Sequence, residues 1–132
     1  MVAIKVKSGN AIAVYALEQN GRRELWDFLF DLKASSCKDF ARLVSLFDRT
    51  AEYGRIKNEQ MFKYLANDIY EFKTFGGFRV LCFFDGGRMI VLTNGFKKRK
   101  DYSAEIQKAV NLRVNYLNAK SNGCLTYRED VL

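Results

Sequence analysis

The 132-residue chain contains no histidine, so any proton transfer it performs must fall to lysine, arginine, tyrosine or a carboxylate. That absence removes most His-ligated metal sites and every Ser–His or His–His catalytic scheme. The basic groups that remain are unevenly placed. Between Phe72 and Lys100 stand Lys73, Arg79, Arg88, Lys97, Lys98, Arg99 and Lys100, against the single acid Asp85. This stretch accounts for six of the net charge of +7, leaving the rest of the chain almost neutral. Positive charge gathered in this way suits a polyanion such as nucleic acid. A basic face kept only for solubility is the alternative.

The elements that must position these groups follow from periodicity. Alternation over Ile12–Glu18 predicts a strand. A signal peptide could share the apolar stretch Ala11–Leu17, but it is short, lacks a small-residue cleavage site and passes into Glu18. Leu25, Phe28, Leu29 and Leu32 then fall at helical spacing, with Trp26 expected at the rim of that stripe. Ser35 and Ser36 break the helix and cap a second, with Asp39 favourable in its first turn. Cys37, Phe40, Ala41, Val44 and Phe47 are its expected apolar face, and it ends near Gly54. Ile69–Lys73, Phe78–Phe84 and Met89–Thr93 read as strands joined by the hairpin glycines Gly76-Gly77 and Gly86-Gly87. Val80–Phe84 is apolar at every position and is expected to be the central strand, covered on both faces. Ile106, Ala109, Val110, Val114 and Leu117 give a last helix. The expected class is α+β, in the order β-α-α-β-β-β-α, an antiparallel sheet with an N-terminal helical hairpin and a C-terminal helix packed on it.

Apolar residues make up 48% of the chain and aromatics 14%, enough for a core and contrary to general disorder. One domain over residues 1–120 is expected, with a polar, loose tail over 121–132. Apolar runs fall far short of the roughly 20 residues of a membrane helix. Cys37, Cys82 and Cys124 are odd in number and form no CxxC pair, which fits reduced thiols in the cytoplasm.

Three patterns occur in order: Ile69-Tyr70-Glu71-Phe72-Lys73, then Gly76-Gly77-Phe78-Arg79-Val80-Leu81-Cys82-Phe83-Phe84, then Gly95-Phe96-Lys97-Lys98. Together they resemble the signature of the RelE/HigB/ParE toxin superfamily, especially its phage-derived HigB-like branch, over about residues 50–112. The resemblance implies a RelE-like fold and a cytoplasmic toxin of a type II toxin–antitoxin pair. It further implies a ribosome-dependent endoribonuclease that cuts translated mRNA in the A site without metal or cofactor. The implied partner is a cognate antitoxin with a helix-turn-helix DNA-binding domain.

Cleaving RNA without metal requires a base for the 2′-OH proton, positive charge around the pentavalent phosphorus, and an acid for the leaving 5′-oxygen. A lysine serves as base only when neighbouring cations favour its neutral form. Lys73, Lys97, Lys98, Arg99 and Lys100 are the candidates for such crowding. Arg79 or Arg99 suits the transition-state charge, because guanidinium grips phosphate in bidentate fashion. Tyr102 matches the place where RelE-like enzymes keep a tyrosine, as a base or as a platform for a nucleobase. Lys57 and Lys63 match the family's basic loop, and with Arg88 and Lys100 they complete the expected RNA-binding set. Against these stand plainer roles: Arg79 bracing the sheet or pairing with Glu71, and Tyr102 packing against the last helix. Lys73 stands where the family has arginine, and the stretch after Lys98 is short and lacks the family's proline. A ParE-like DNA gyrase inhibitor without catalysis, or a phage-derived protein retaining only a binding role, therefore remain alternatives.

Overall fold

The computed structural model describes residues 1–130; Val131 and Leu132, the end of the expected tail, lie outside the described residues. Strands β1 (Val2–Ser8) and β2 (Ala13–Glu18) precede helices α1 (Glu24–Ser35) and α2 (Cys37–Tyr53). Strands β3 (Phe62–Ala66), β4 (Ile69–Lys73), β5 (Phe78–Phe84) and β6 (Met89–Lys97) follow, then helix α3 (Ser103–Ser121) and strand β7 (Thr126–Glu129). The class is mixed α+β, but the order differs from the expected β-α-α-β-β-β-α.

Among the described residues, seven strands form one sheet in the order β3-β4-β5-β6-β2-β1-β7. The sheet is not wholly antiparallel, since β2 runs parallel to β6 and β7 parallel to β1. The three additional strands have physical reasons for being hard to read. In β1, Lys5 and Lys7 interrupt the apolar run and are neutralised by Glu129 and Asp48. Strand β3 is an edge with both Lys63 and Tyr64 exposed. All four residues of β7 are exposed, so the segment expected to hang loose carries a strand without any apolar signature.

The helices cover opposite faces. On one side α1 and α2 pack over Ile4, Val14, Phe72, Val80, Cys82 and Leu92. On the other, α3 packs over Ile69, Leu81, Phe83 and Val91. Strand β5 is thus buried on both faces, which is why its sequence is continuously apolar. In α1 the expected stripe is buried at Leu25, Leu29 and Leu32, and Trp26 is buried with it. The buried face of α2 is instead Asp39, Leu43, Leu46, Phe47, Thr50 and Ala51. It is rotated from the expected one because Asp39 turns inward to a polar partner, leaving Cys37 exposed. On α3 the buried anchors are Ala109 and Tyr116, while Val114 is 47% exposed. Tyr116 wins that face because its hydroxyl reaches the carboxylate of Asp85, which also holds Lys120 at 2.8 Å. Among the described residues, no helix is long and apolar enough to cross a membrane.

Candidate nucleic-acid interface

Hairpin register places the basic residues. Lys73 pairs with Arg79 across β4 and β5, and Arg79 with Phe96 and Phe78 with Lys97 across β5 and β6. Lys73, Arg79 and the root of the Lys97–Lys100 run therefore stand side by side at one end of the sheet. A bulge then decides which way they face. The register shifts between Val80 and Cys82, so that Thr93 and Asn94 together oppose Leu81. Ile90 and Leu92 face α1 and α2, but beyond the bulge Phe96 faces α3. Lys97 is consequently sent to the α1/α2 side, where its ammonium lies 5.7 Å from the centroid of the Phe78 ring.

Arg79 is on the α3 side and only 6% exposed. Its Nη1 donates to the carbonyls of Thr74 at 3.2 Å and Phe78 at 3.0 Å, and its Nε lies 3.9 Å from Glu71 Oε1. Glu71, 2% exposed, accepts a hydrogen bond from the Tyr102 hydroxyl at 3.0 Å. Tyr102 sits at the N-terminus of α3 and packs on Phe96, ring centroids 5.2 Å apart. Burial, reinforced by the Glu71 carboxylate, pushes the Tyr102 phenol above its usual range. Such a phenol keeps its proton and so is not available as a base. The resting geometry therefore gives Arg79 and Tyr102 protein partners, the plainer of their two expected roles.

The turn between β4 and β5 is held from two sides. Arg79 binds its carbonyls from beneath, while the first turn of α2 presents Asp39 to its flank. Gly76 has no side chain because any Cβ there would overlap the Asp39 carboxylate, and Gly77 has a φ of +90° that favours glycine. Ser36 Oγ donates to Asp39 at 2.7 Å. That bond first, then the Thr74 hydroxyl, the Arg42 charge and the Gly76 amide, outweigh burial and hold the Asp39 carboxyl below its usual range. A carboxyl whose pKa is depressed by folding stabilises the fold above its unfolded value, ordinarily 3.8. That contribution disappears as pH falls through the lower folded value. Asp39→Asn is therefore expected to cost about 1–2 kcal/mol at neutral pH. In acid below the folded value it should match the wild type, as urea midpoints at the two pH values would show; an equal deficit at both would exclude an ionic role.

The remaining cations divide by their partners. Arg99 is paired with Glu105 at 2.8 Å. Among the described residues, Lys97, Lys98 and Lys100 are exposed and form no ion pair. Lys73 is half-buried, its Nζ 3.3 Å from the Glu59 carbonyl. Lys63 is opposite Glu71 on the neighbouring edge strand, and Lys57 lies on the connection leading to it. Arg88 is at the far end of the β5–β6 hairpin, roughly 30 Å away at about 3.3 Å per residue, so it cannot share a phosphate with Lys97. Two residues of this end were not singled out from the sequence: Asp39 as a clasp, and Phe75, 80% exposed at the tip of the clasped turn. The adjacent glycine pair was the available signal for Phe75.

A concavity of about 500 Å³ lies on the β2-facing side of α3 and is lined by Gln19, Asn20, Gln107, Asn111 and Asn115 among others. Its Lys108 is paired with Glu24 at 2.7 Å, so it adds nothing to the basic end. Among the described residues, no three His, Cys, Asp or Glu side chains converge as a metal cage would require. A family model described as phage-derived protein Gp49-like (DUF891) matches residues 27–113, well over half of the chain. The matched region runs from α1 into α3 and includes every residue of the clasped turn. No curated protein matches the chain.

Proposed function

Since the chain belongs to the phage-derived Gp49-like family, we propose that it is a RelE/HigB-class toxin of a type II toxin–antitoxin pair, an endoribonuclease acting on translated mRNA at the ribosome. The observation that supports this best is the exposed run of Lys97, Lys98 and Lys100, without an ion pair among the described residues, continuing β6 at the end where Lys73, Arg79 and Tyr102 also lie. In this reading a lysine of this end takes the 2′-OH proton, and the freed oxygen attacks phosphorus. The neighbouring ammonium groups stabilise the charge that develops, the P–O5′ bond breaks, and the leaving oxygen takes a proton from one of them. A 2′,3′-cyclic phosphate and a 5′-hydroxyl are the products. Arg79 holds the turn and Tyr102 donates a hydrogen bond. The partner is an antitoxin with a helix-turn-helix domain whose acidic residues cover the lysine run, and the setting is the cytoplasm.

Induced expression in a bacterial host, followed by primer extension on a translated message, tests this reading. Wild type should arrest growth and leave cuts inside translated codons. Lys97→Ala/Lys98→Ala/Lys100→Ala should reduce cutting about a hundredfold or more. Arg99 is left intact because its pairing with Glu105 would confuse the result. Arrest without cuts would favour a ParE-like gyrase inhibitor. That second reading draws on one observation: Arg79 and Tyr102 are already engaged by Glu71 and leave little free chemistry.

A further inference from the structure

We propose that Phe75 is a stacking platform for an unpaired base of single-stranded RNA, placed beside the phosphate-binding lysines. The inference rests on the nucleic-acid reading above and adds a recognition element to it. A phenyl ring that is 80% exposed on a mobile loop would be unremarkable, but this turn is fixed. Arg79 holds the carbonyls of Thr74 and Phe78, and Asp39 packs against Gly76 so closely that no side chain fits there. The Lys98 amide donates to the Gly77 carbonyl at 2.6 Å. The ring is therefore presented with little backbone entropy left to lose.

Its surroundings select the ligand. The hydrogen bond to Gly77 brings the start of the free lysine run against the turn that carries Phe75, and Lys97 lies over the adjoining Phe78. A flat apolar face beside exposed ammonium groups matches a nucleobase joined to its phosphate, the arrangement used to bind single strands without strict sequence preference. The other strongly exposed aromatics lack this setting. Tyr53 ends α2, whose Ala51 carbonyl holds the β1–β2 turn at the opposite, Arg88 end of the sheet, and Phe30 lies with Trp26, Phe40 and Asp130. Duplex RNA keeps its bases stacked on one another and offers none to the ring, so the ligand is a single strand.

The test uses the full chain and a fluorescein-labelled 12-nucleotide oligoadenylate at low salt, with an RNA hairpin duplex as control. Phe75→Ala is expected to weaken oligoadenylate binding about tenfold, to leave the salt slope unchanged, and to affect duplex binding little. Phe75→Trp should retain affinity, and its added indole fluorescence should be quenched by the oligonucleotide. Because the ring is at the surface, both variants should keep the wild-type urea midpoint. Phe75→Ala binding as tightly as wild type, while the triple lysine variant binds weakly, would overturn the platform and leave the ring to a protein partner. Wild type binding no oligonucleotide at all would overturn the platform together with the nucleic-acid reading beneath it.

Discussion

Arg79→Ala should destabilise the folded chain by about 3–5 kcal/mol, the range for removing one partner of a buried ion pair. The guanidinium holds two backbone carbonyls of the β4–β5 turn and faces the Glu71 carboxylate. Its loss leaves Glu71, 2% exposed, with the Tyr102 hydroxyl as its one side-chain partner among the described residues. The buried charge is then costly, and the turn loses its lower support. Urea denaturation measures the effect directly. Arg79→Met combined with Glu71→Leu should recover much of the stability, because well-packed apolar side chains often replace a buried ion pair at no net cost. An Arg79→Ala protein within 1 kcal/mol of wild type would falsify the pillar role and free the guanidinium for substrate. Activity lost by Arg79→Ala is thus not evidence that Arg79 touches RNA unless stability is measured beside it.

Raising salt from 50 to 200 mM should weaken binding of the single-stranded oligonucleotide about 20- to 50-fold. This follows if three or four phosphates are neutralised, since the logarithmic slope for single strands is about −0.7 per phosphate. Among the described residues, Lys97, Lys98 and Lys100 are exposed and without an ion pair at this end, and the half-buried Lys73 would be the fourth contact. Replacing the first three with alanine should flatten the slope by about 2. Arg99 is excluded from the count because Glu105 already neutralises it. Fluorescence anisotropy across a salt series gives both slopes. A wild-type slope near zero would contradict the phosphate contacts however tight the binding.

Strands β4 and β5 were legible because their apolar positions are bounded by glycine turns, and both span Ile69–Lys73 and Phe78–Phe84 as expected. Strand β6 runs to Lys97, beyond the expected Thr93, because the bulge at Thr93 and Asn94 breaks the alternation from which strands are read. The same bulge explains what was hidden in the site. Linear spacing put Lys73, Arg79 and the lysine run at one end of the sheet, and the hairpin register agrees. No sequence pattern could show that Arg79 faces α3 while Lys97 faces α1 and α2. The inward turn of Asp39 was invisible for a related reason. An aspartate in a first helical turn is usually read as solvated, and the turn it packs against, at Gly76, is distant in sequence. Tyr116 escaped notice because its burial depends on Asp85, on the opposite side of the β5–β6 hairpin from the charge cluster.

Pairing of Val2 with Thr126 through Lys5 with Glu129 has a consequence for the order in which the molecule is made. Strand β1 leaves the ribosome first and finds β2 at once, since the two form a local hairpin. Its outer edge stays bare until residues 126–129 reach it. Unpaired edges are the surfaces through which incomplete chains associate, and contacts so distant in sequence form late. Tyr127, packed edge-on against Tyr15 at 5.7 Å and near the Tyr116 hydroxyl at 3.3 Å, therefore marks the step at which that edge is closed.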